Sequence, residues 1–149
     1  MATHAERRAL PYTPDQMYAL VVDIERYPEF LPWCRAARIT RRDGDVLYAD
    51  LVIGFRMFRE RFSSKVSLNP PHGIHVDYIK GPMRHLNNHW RFEPREDGCL
   101  IDFHVDFELR SAILDRAIGL LFHEAARRMV SAFEMRARAI YGSPSSPSK

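Results

Sequence analysis

The sequence alternates between apolar and polar residues in a series of short segments, and this alternation constrains the fold more than any other feature. It is clearest in "CLIDFHVDFEL" (residues 99–109), where every second residue is apolar. Successive side chains of a β-strand point to opposite faces, so the segment predicts a strand with one buried face. Weaker versions of the pattern occupy five segments between residues 35 and 94, and short turns join them. Short connections favour an antiparallel sheet over one core.

The chain begins with a weakly alternating strand over residues 4–10, followed by a helix. The stretch "TPDQMYALVVDI" predicts a helix over residues 14–24. Thr13 is a favourable N-cap, Pro14 suits the first helical position, and Gln16 completes a capping box with Thr13.

The last part of the chain has helical rather than strand periodicity. Ser111 is expected to cap a long helix that extends as far as Tyr141. Its predicted apolar stripe consists of Leu114, Ile118, Leu121, Ala125, Met129 and Ala132, widened by Phe122 and Phe133. The remaining "GSPSSPSK" is rich in Pro and Ser and predicts a disordered tail. We therefore expect one domain over residues 1–142 and a tail over residues 143–149.

The segment "YPEFLPWC" (residues 27–34) is too apolar for an ordinary surface loop and too rich in proline for a long helix. A one-turn helix is expected around residues 28–30. One interpretation makes the segment a stiff lid over the open end of a curved sheet, because proline limits the entropy lost on closing. A plain core plug is the alternative. The lid would be formed by Tyr27, Phe30, Leu31 and Trp33.

Composition is compatible with a globular protein and excludes several classes. The 149 residues suit one core, and no apolar run approaches the roughly 20 residues that span a bilayer. The first residues lack the apolar stretch of a secretory signal, so we expect a cytoplasmic protein, with a peripheral position at the inner membrane left open. Cys34 and Cys99 are expected to be reduced and at least partly buried, with no metal site. A net charge of +3 permits an anionic partner without requiring one, and no DNA partner is expected.

The predicted order of elements, an α+β arrangement, resembles the helix-grip fold of the START-like superfamily. More narrowly, "YPEFLPWC", "ERFSSKV", "GPMRHLNNHWRF", "VDFEL" and "FEMRARAIYG" resemble the coenzyme Q-binding START-domain family, which also includes bacterial ribosome association toxins. One departure is Met83, where the family pattern has phenylalanine. The resemblance implies a curved antiparallel sheet of six to seven strands wrapped around a long C-terminal helix, with one or two short helices after the first strand.

The resemblance also implies a hydrophobic ligand, ubiquinone or a similar prenyl lipid. The protein would then support respiratory electron transport and require no other cofactor. The residues alone leave open whether the inward aromatic side chains complete the core or leave a tunnel. If a cavity exists, Trp33 and Tyr27 would also aid transient contact with a membrane surface. The expected ligand-contacting residues are Tyr27, Phe30, Leu31, Trp33, Phe55, Phe58, Phe62, Leu86, Trp90, Phe92, Phe103, Phe107, Leu121, Phe122, Ala125 and Met129.

Polar residues near the expected entrance are candidates for contact with a quinone head. The candidate donors are Arg84, Asn87, Asn88 and Trp90. Glu60 has the strand parity of Phe62 and is therefore expected on the inward face, where a carboxylate needs a partner. Arg38 or His89 could pair with it, a bulge could turn it outward, and a ligand contact is a further alternative.

Two other functions are compatible with the sequence. The toxin branch of the family implies association with a ribosomal subunit, and exposed basic residues would serve it: Arg35, Arg38, Arg41, Arg42, Arg127, Arg128, Arg136 and Arg138. A polyketide cyclase-like or dehydratase-like enzyme is less favoured. The sequence has no metal-ligand cluster, phosphate loop or nucleophile elbow, so no catalytic residue is predicted.

Overall fold

The computed structural model describes residues 2–55 and 58–142, without the side chains of Phe55 and Phe58. The strands within these ranges are β1 Ala2–Leu10, β2 Cys34–Asp43, β3 Val46–Phe55, β4 Phe58–Asn69, β5 Gly73–Lys80, β6 Met83–Arg95 and β7 Gly98–Leu109. The α-helices are α1 Pro14–Val22, α2 Ala112–Gly119 and α3 Phe122–Tyr141, and a 3₁₀ helix covers Ile24–Glu29.

The seven strands form one antiparallel sheet in the order β1-β7-β6-β5-β4-β3-β2. Consecutive strands from β2 to β7 are neighbours, and β1 pairs with β7, so β1 and β2 are the two edges. Register shifts interrupt the β2–β3, β4–β5 and β6–β7 pairings, and such bulges bend the strands. The predicted α+β helix-grip architecture is therefore confirmed.

The inner face of the sheet packs on α3, as the alternation predicts. In β7 the buried residues include Ile101, Phe103 and Val105, whereas the intervening residues are partly exposed. The ring of Phe133 from α3 lies 5.1 Å from that of Trp90, edge to face, and Phe122 lies 4.8 Å from Phe107. These aromatic contacts hold the helix against the centre of the sheet.

The first helix begins as predicted and ends earlier. Thr13 accepts a hydrogen bond from the Gln16 amide at 3.1 Å, and the Gln16 side chain accepts one from the Thr13 amide at 2.9 Å, which completes the capping box. The helix stops at Val22 rather than at residue 24, and the 3₁₀ helix replaces the single turn expected around residues 28–30. The residue before a proline avoids the α-conformation, so the approach to Pro28 opposes a longer α-helix.

The predicted single C-terminal helix is wrong, because the chain forms two helices separated at Leu120 and Leu121. Gly119, the last residue of α2, is a poor helix former. The two helices also pack on different apolar clusters, with Ile118 of α2 joining Phe62 and α3 joining the main core.

The break also explains why the predicted apolar stripe of the long helix is displaced. The buried residues of α3 are Phe122, Ala126, Val130, Phe133 and Ala137. The predicted stripe instead continues the period of α2 across the break, through Leu121, Ala125, Met129 and Ala132. Burial in α3 is centred one residue later, about 100° around the helix axis, and Ala125, Met129 and Ala132 are partly buried beside it.

Polar side chains join β1 to α3 along the edge of the sheet. Arg8 donates hydrogen bonds to Ser131 at 3.1 Å and to Glu134 at 3.1 Å, and it also pairs with Glu6. His4 is buried, and its Nδ1 lies 3.1 Å from Nδ1 of His123. These contacts cover the polar middle of the inward face of β1, between Ala2 and the buried core residue Leu10.

Gly98, at the β6–β7 turn, lies so close to the backbone of Leu10 that no residue with a Cβ atom fits there. An added Cβ at Gly98 would lie 1.9 Å from the carbonyl oxygen of Leu10, and its φ is +156°. Gly98→Ala should lower the free energy of unfolding by about 2 kcal/mol or more, through steric overlap and backbone strain. Urea unfolding of the purified variant measures this loss.

Gly119→Ala is the matched control, since an added Cβ there meets nothing within 4 Å. It should leave stability unchanged or raise it by up to about 1 kcal/mol. Equal effects of the two substitutions would contradict the close approach at Gly98.

Candidate ligand-binding cavity

An internal cavity of about 320 Å³ lies between the inner face of the sheet and α3. Its walls combine side chains from α1, the 3₁₀ helix, strands β2 to β7, α2 and α3. This volume is at the lower end of the range for small-molecule sites, and apolar walls with a few polar groups are typical of such sites. The space between the sheet and α3 is therefore not filled by side chains.

Ten of the expected ligand-contacting residues line the cavity. They are Tyr27, Leu31, Trp33, Phe62, Leu86, Trp90, Phe107, Phe122, Ala125 and Met129. They come from the lid segment, β4, β6, β7 and α3, so the fold brings together residues that are up to about 100 positions apart in sequence. Their contact with a ligand stays a prediction.

The structure places four expected residues outside the cavity lining. Phe92 and Phe103 are fully buried and pack in the core, with their rings 6.2 and 4.5 Å from that of Trp90. The ring of Phe30 packs on that of Phe133 at 5.2 Å, and Leu121 is 51% exposed. Strand parity identifies which side chains point inward. It does not identify which of these inward side chains border the cavity. The side chains of Phe55 and Phe58 lie outside the described residues.

Several lining residues were missed by sequence reasoning. Ser64 lies between Phe62 and Val66 on the inward face of β4, is fully buried and lines the cavity. The alternation of β4 was a sufficient signal for it, although serine is not an expected wall residue. Val21 and Ile24 also line the cavity, because α1 and the 3₁₀ helix close one part of it.

The cavity contains few polar groups. Ser64 donates to the carbonyl of Ala49 at 3.4 Å, and the Asn88 amide donates to the carbonyl of His104 at 2.8 Å. The Asn88 amide has a second N–H, and the Ser64 hydrogen bond is long, so both groups retain hydrogen-bonding capacity.

The titratable groups that line the cavity are held neutral. Burial raises the pKa of the Cys34 thiol to about 11 and also raises the pKa of Tyr27. Burial disfavours the charged form of both side chains, so neither contributes a charge at neutral pH. The Tyr27 hydroxyl donates a hydrogen bond to the carbonyl of Val21. The surroundings therefore favour an uncharged, largely apolar occupant.

Contacts with the rest of the protein hold the lid segment in place at both ends. Tyr27 and Phe30 pack edge to face on Phe133, and Arg136 lies 4.9 Å over the ring of Phe30. Trp33 follows in the left-handed region with φ 67°, which a bulky residue rarely adopts, and its carbonyl accepts a hydrogen bond from Gly54 at 2.8 Å. The backbone conformation therefore directs the Trp33 side chain into the cavity wall. Outliers of this kind concentrate at functional sites.

A second, smaller space of about 130 Å³ lies beside the cavity at the α2–α3 junction. Trp33, Ile53, Ile118, Phe122 and Ala125 line both spaces. Leu121 and Gly54 border only the smaller space, and Leu121 is half exposed. We call this region, formed by these seven residues, the mouth.

Two of the four candidate donors lie away from the cavity. Arg84 is exposed and pairs with Glu108 at 3.8 Å, and Asn87 donates to Asp77 at 3.4 Å on the outer face. Asn88 and Trp90 do line the cavity. Of the alternatives for Glu60, pairing with Arg38 or His89 is not found, since Glu60 forms no ion pair with either residue and is partly exposed.

Histidines form a row on the outer face instead of a site within the cavity. The rings of His75, His89 and His104 stack across β5, β6 and β7, with centroids 6.0 and 5.2 Å apart. Asp106 contacts His104 at 2.9 Å and His85 at 3.1 Å. Within residues 2–55 and 58–142, no group of three or more His, Cys, Asp or Glu could hold a metal ion.

Comparison with known proteins agrees with this architecture. The family model described as "Polyketide cyclase / dehydrase and lipid transport" matches residues 10–134. "Ribosome association toxin RatA" of Rickettsia prowazekii is 36% identical over 144 residues, covering 94% of this chain and 99% of that protein. "Coenzyme Q-binding protein COQ10 homolog B, mitochondrial" of Xenopus laevis is 35% identical, covering 93% of this chain and 59% of that protein.

A solved structure shares the fold at low sequence identity. A START superfamily protein from Mycobacterium smegmatis superposes with a TM-score of 0.81 at 16% identity, covering 94% of this chain and 99% of that one. The resemblance to coenzyme Q-binding START-domain proteins is confirmed by the relatives, the grip architecture and the family match. The chain belongs to the polyketide cyclase/dehydrase and lipid transport family.

Proposed function

We propose that the protein binds a prenyl quinone of the ubiquinone class in its internal cavity and carries it without chemical change. The observation that supports this proposal is the apolar cavity of about 320 Å³, which shares five lining residues with the mouth. The name of the Xenopus laevis relative, a coenzyme Q-binding protein, indicates the ligand class.

The cavity suits a ligand with a small polar head and a hydrocarbon tail. Each buried CH₂ group contributes roughly 0.8 kcal/mol, so a few isoprene units supply most of the affinity. The second N–H of the Asn88 amide can donate to a quinone carbonyl, which accepts hydrogen bonds and carries no charge. The Ser64 hydroxyl can donate as well if it gives up its long hydrogen bond to Ala49. A longer tail would leave through the mouth, past Trp33 and Leu121.

Filling the cavity should abolish quinone binding without disturbing the surface. Ala125 of α3 lines both the cavity and the mouth, so Ala125→Phe places a ring where the ligand would lie. We expect the quinone bound per protein, measured by mass spectrometry after loading from detergent micelles, to fall by about tenfold or more.

Ala139→Phe is the control, because Ala139 is exposed on the same helix and borders neither space. It should load as wild type does, and thermal melting checks that both variants are folded. Equal loading of the Ala125 variant, or no loading of the wild type, would contradict the proposal.

The cysteine in the cavity wall provides a second test. With a pKa of about 11, only about one Cys34 thiol in a thousand is ionised at pH 8. Alkylation by iodoacetamide should therefore be about a hundredfold slower than for an ordinary free thiol, and it should accelerate as the pH rises toward 11. Peptide mapping separates Cys34 from Cys99.

Bound ubiquinone should slow Cys34 alkylation further at every pH, because it covers this wall of the cavity. Unfolding in urea restores the ordinary rate and serves as the control. An alkylation rate that quinone loading leaves unchanged would argue against occupancy of this cavity.

We also propose association with a ribosomal subunit as a second candidate function. The relatives named ribosome association toxins match nearly the whole chain. Arg35, Arg38 and Arg42 on the edge strand β2 are exposed, and none forms an ion pair among the described residues. Phosphate groups of RNA are the partners that such arginines favour.

Charge reversal on β2 tests this second candidate. The double variant Arg38→Glu, Arg42→Glu should weaken co-sedimentation with purified ribosomal subunits by about tenfold or more at low salt. Arg91→Glu, an exposed arginine of β6, is the control. If the wild type does not co-sediment at low salt, this function is excluded.

A further inference from the structure

Helix α2 presents its apolar residues to solvent rather than to the core. A surface helix normally buries its apolar stripe, yet no residue of α2 is buried. Ile113 is 82% exposed and Leu120, just after the helix, is 85% exposed. Leu114 and Leu121 are also exposed. A contiguous apolar patch of this kind marks an interaction site.

The orientation of α2 is fixed by specific contacts and is not a loose arrangement. Asp115 accepts a hydrogen bond from the Leu109 amide at 2.9 Å, and Ser111 accepts one from the Leu114 amide at 3.3 Å. Ile118 packs on the smaller apolar cluster at the end of the sheet. Ile113 and Leu120 are seven residues apart and therefore lie on one face of the helix. Because the opposite side is anchored, this face points away from the protein.

Arginines border the same patch. A groove of about 480 Å³ between the ends of β6 and β7 and α2 contains Arg84, Arg110 and Arg116 beside Leu120, together with the carboxylates of Glu108 and Asp115. The Asp115 carboxylate already accepts a hydrogen bond from the Leu109 amide. Arg84 is paired with Glu108 at 3.8 Å. Within the described part of the chain, neither Arg110 nor Arg116 forms an ion pair. Two guanidinium groups are therefore available for an anionic partner at the rim of an apolar patch.

The patch is continuous with the mouth. Ile118 and Leu121 belong to α2 and the α2–α3 connection, and both line the mouth. We infer that Ile113, Leu114, Leu120 and Leu121, with Arg110 and Arg116, form a docking surface for an anionic lipid bilayer. This α2 surface inserts its apolar side chains among the acyl chains, while the arginines contact lipid phosphates.

A bilayer fits the α2 surface better than a protein partner does. The most exposed side chains protrude from a convex helix, and they lie beside the opening of an apolar cavity. The inference rests on the proposed function in one respect, since docking at the mouth gives a membrane lipid a path into the cavity without crossing water.

Vesicle sedimentation tests the docking surface directly, with vesicles that contain no quinone. Wild type should sediment with vesicles of phosphatidylcholine and phosphatidylglycerol in equal parts, and much less with pure phosphatidylcholine. Leu120→Asp should weaken binding to the mixed vesicles by about tenfold or more, because it removes an inserted side chain and adds a charge. The double variant Arg110→Gln, Arg116→Gln should remove the preference for the anionic lipid.

Ile140→Asp is the matched control, as Ile140 is a 51% exposed apolar residue at the far end of α3. It should bind vesicles as wild type does, and circular dichroism should show native melting for every variant. Quinone loading from detergent micelles is measured in parallel, so that loss of docking and loss of cavity binding are distinguished.

Absence of wild-type binding to the mixed vesicles would overturn the inference, as would unchanged binding of the Leu120 variant. A different result would assign the α2 surface to the ribosome and not to lipid. In that case the wild type would not bind vesicles, and Leu120→Asp would reduce co-sedimentation with ribosomal subunits.

Discussion

The structure depends on the packing of one aromatic ring of α3, that of Phe133, against both the sheet and the lid segment. It contacts Trp90 of the sheet at 5.1 Å, and it contacts Tyr27 and Phe30 of the lid segment at 5.6 and 5.2 Å. These edge-to-face contacts fix α3 over the middle of the sheet and close one part of the grip. Because α3 is anchored there, the space between its first half and the strands is bordered by side chains but not filled by them.

An unfilled apolar interior has an energetic consequence. The side chains around a void lose the contacts they would make in a close-packed core, so a cavity lowers stability unless something occupies it. The small residues Ala125 and Ala126 of α3 maintain the space instead of closing it. A ligand that fills the space would recover these contacts, so binding and folding stability are coupled in this architecture.

Much of this fold could be predicted from the sequence, and the parts that could not have physical causes. The alternation in β7 and the capping box at Thr13 depend on local periodicity, and both predictions are confirmed. The break at Leu120 depends on tertiary packing of α2 and α3 on separate clusters, which local periodicity does not contain. Once the break was missed, the apolar stripe of α3 was displaced as well. Likewise, strand parity places Phe103 and Phe107 on the same face of the sheet. Only the three-dimensional arrangement shows that Phe103 belongs to the core and Phe107 to the cavity wall.

We propose that the space beneath Phe133 and Trp90 receives an apolar ligand. A crystal structure of the protein grown with ubiquinone tests it most directly. We expect electron density for the quinone head within the cavity, between α3 and the strands that contain Ser64 and Asn88, with the tail directed to the mouth. A structure in which side chains fill that space, or in which the quinone lies elsewhere on the protein, would contradict it.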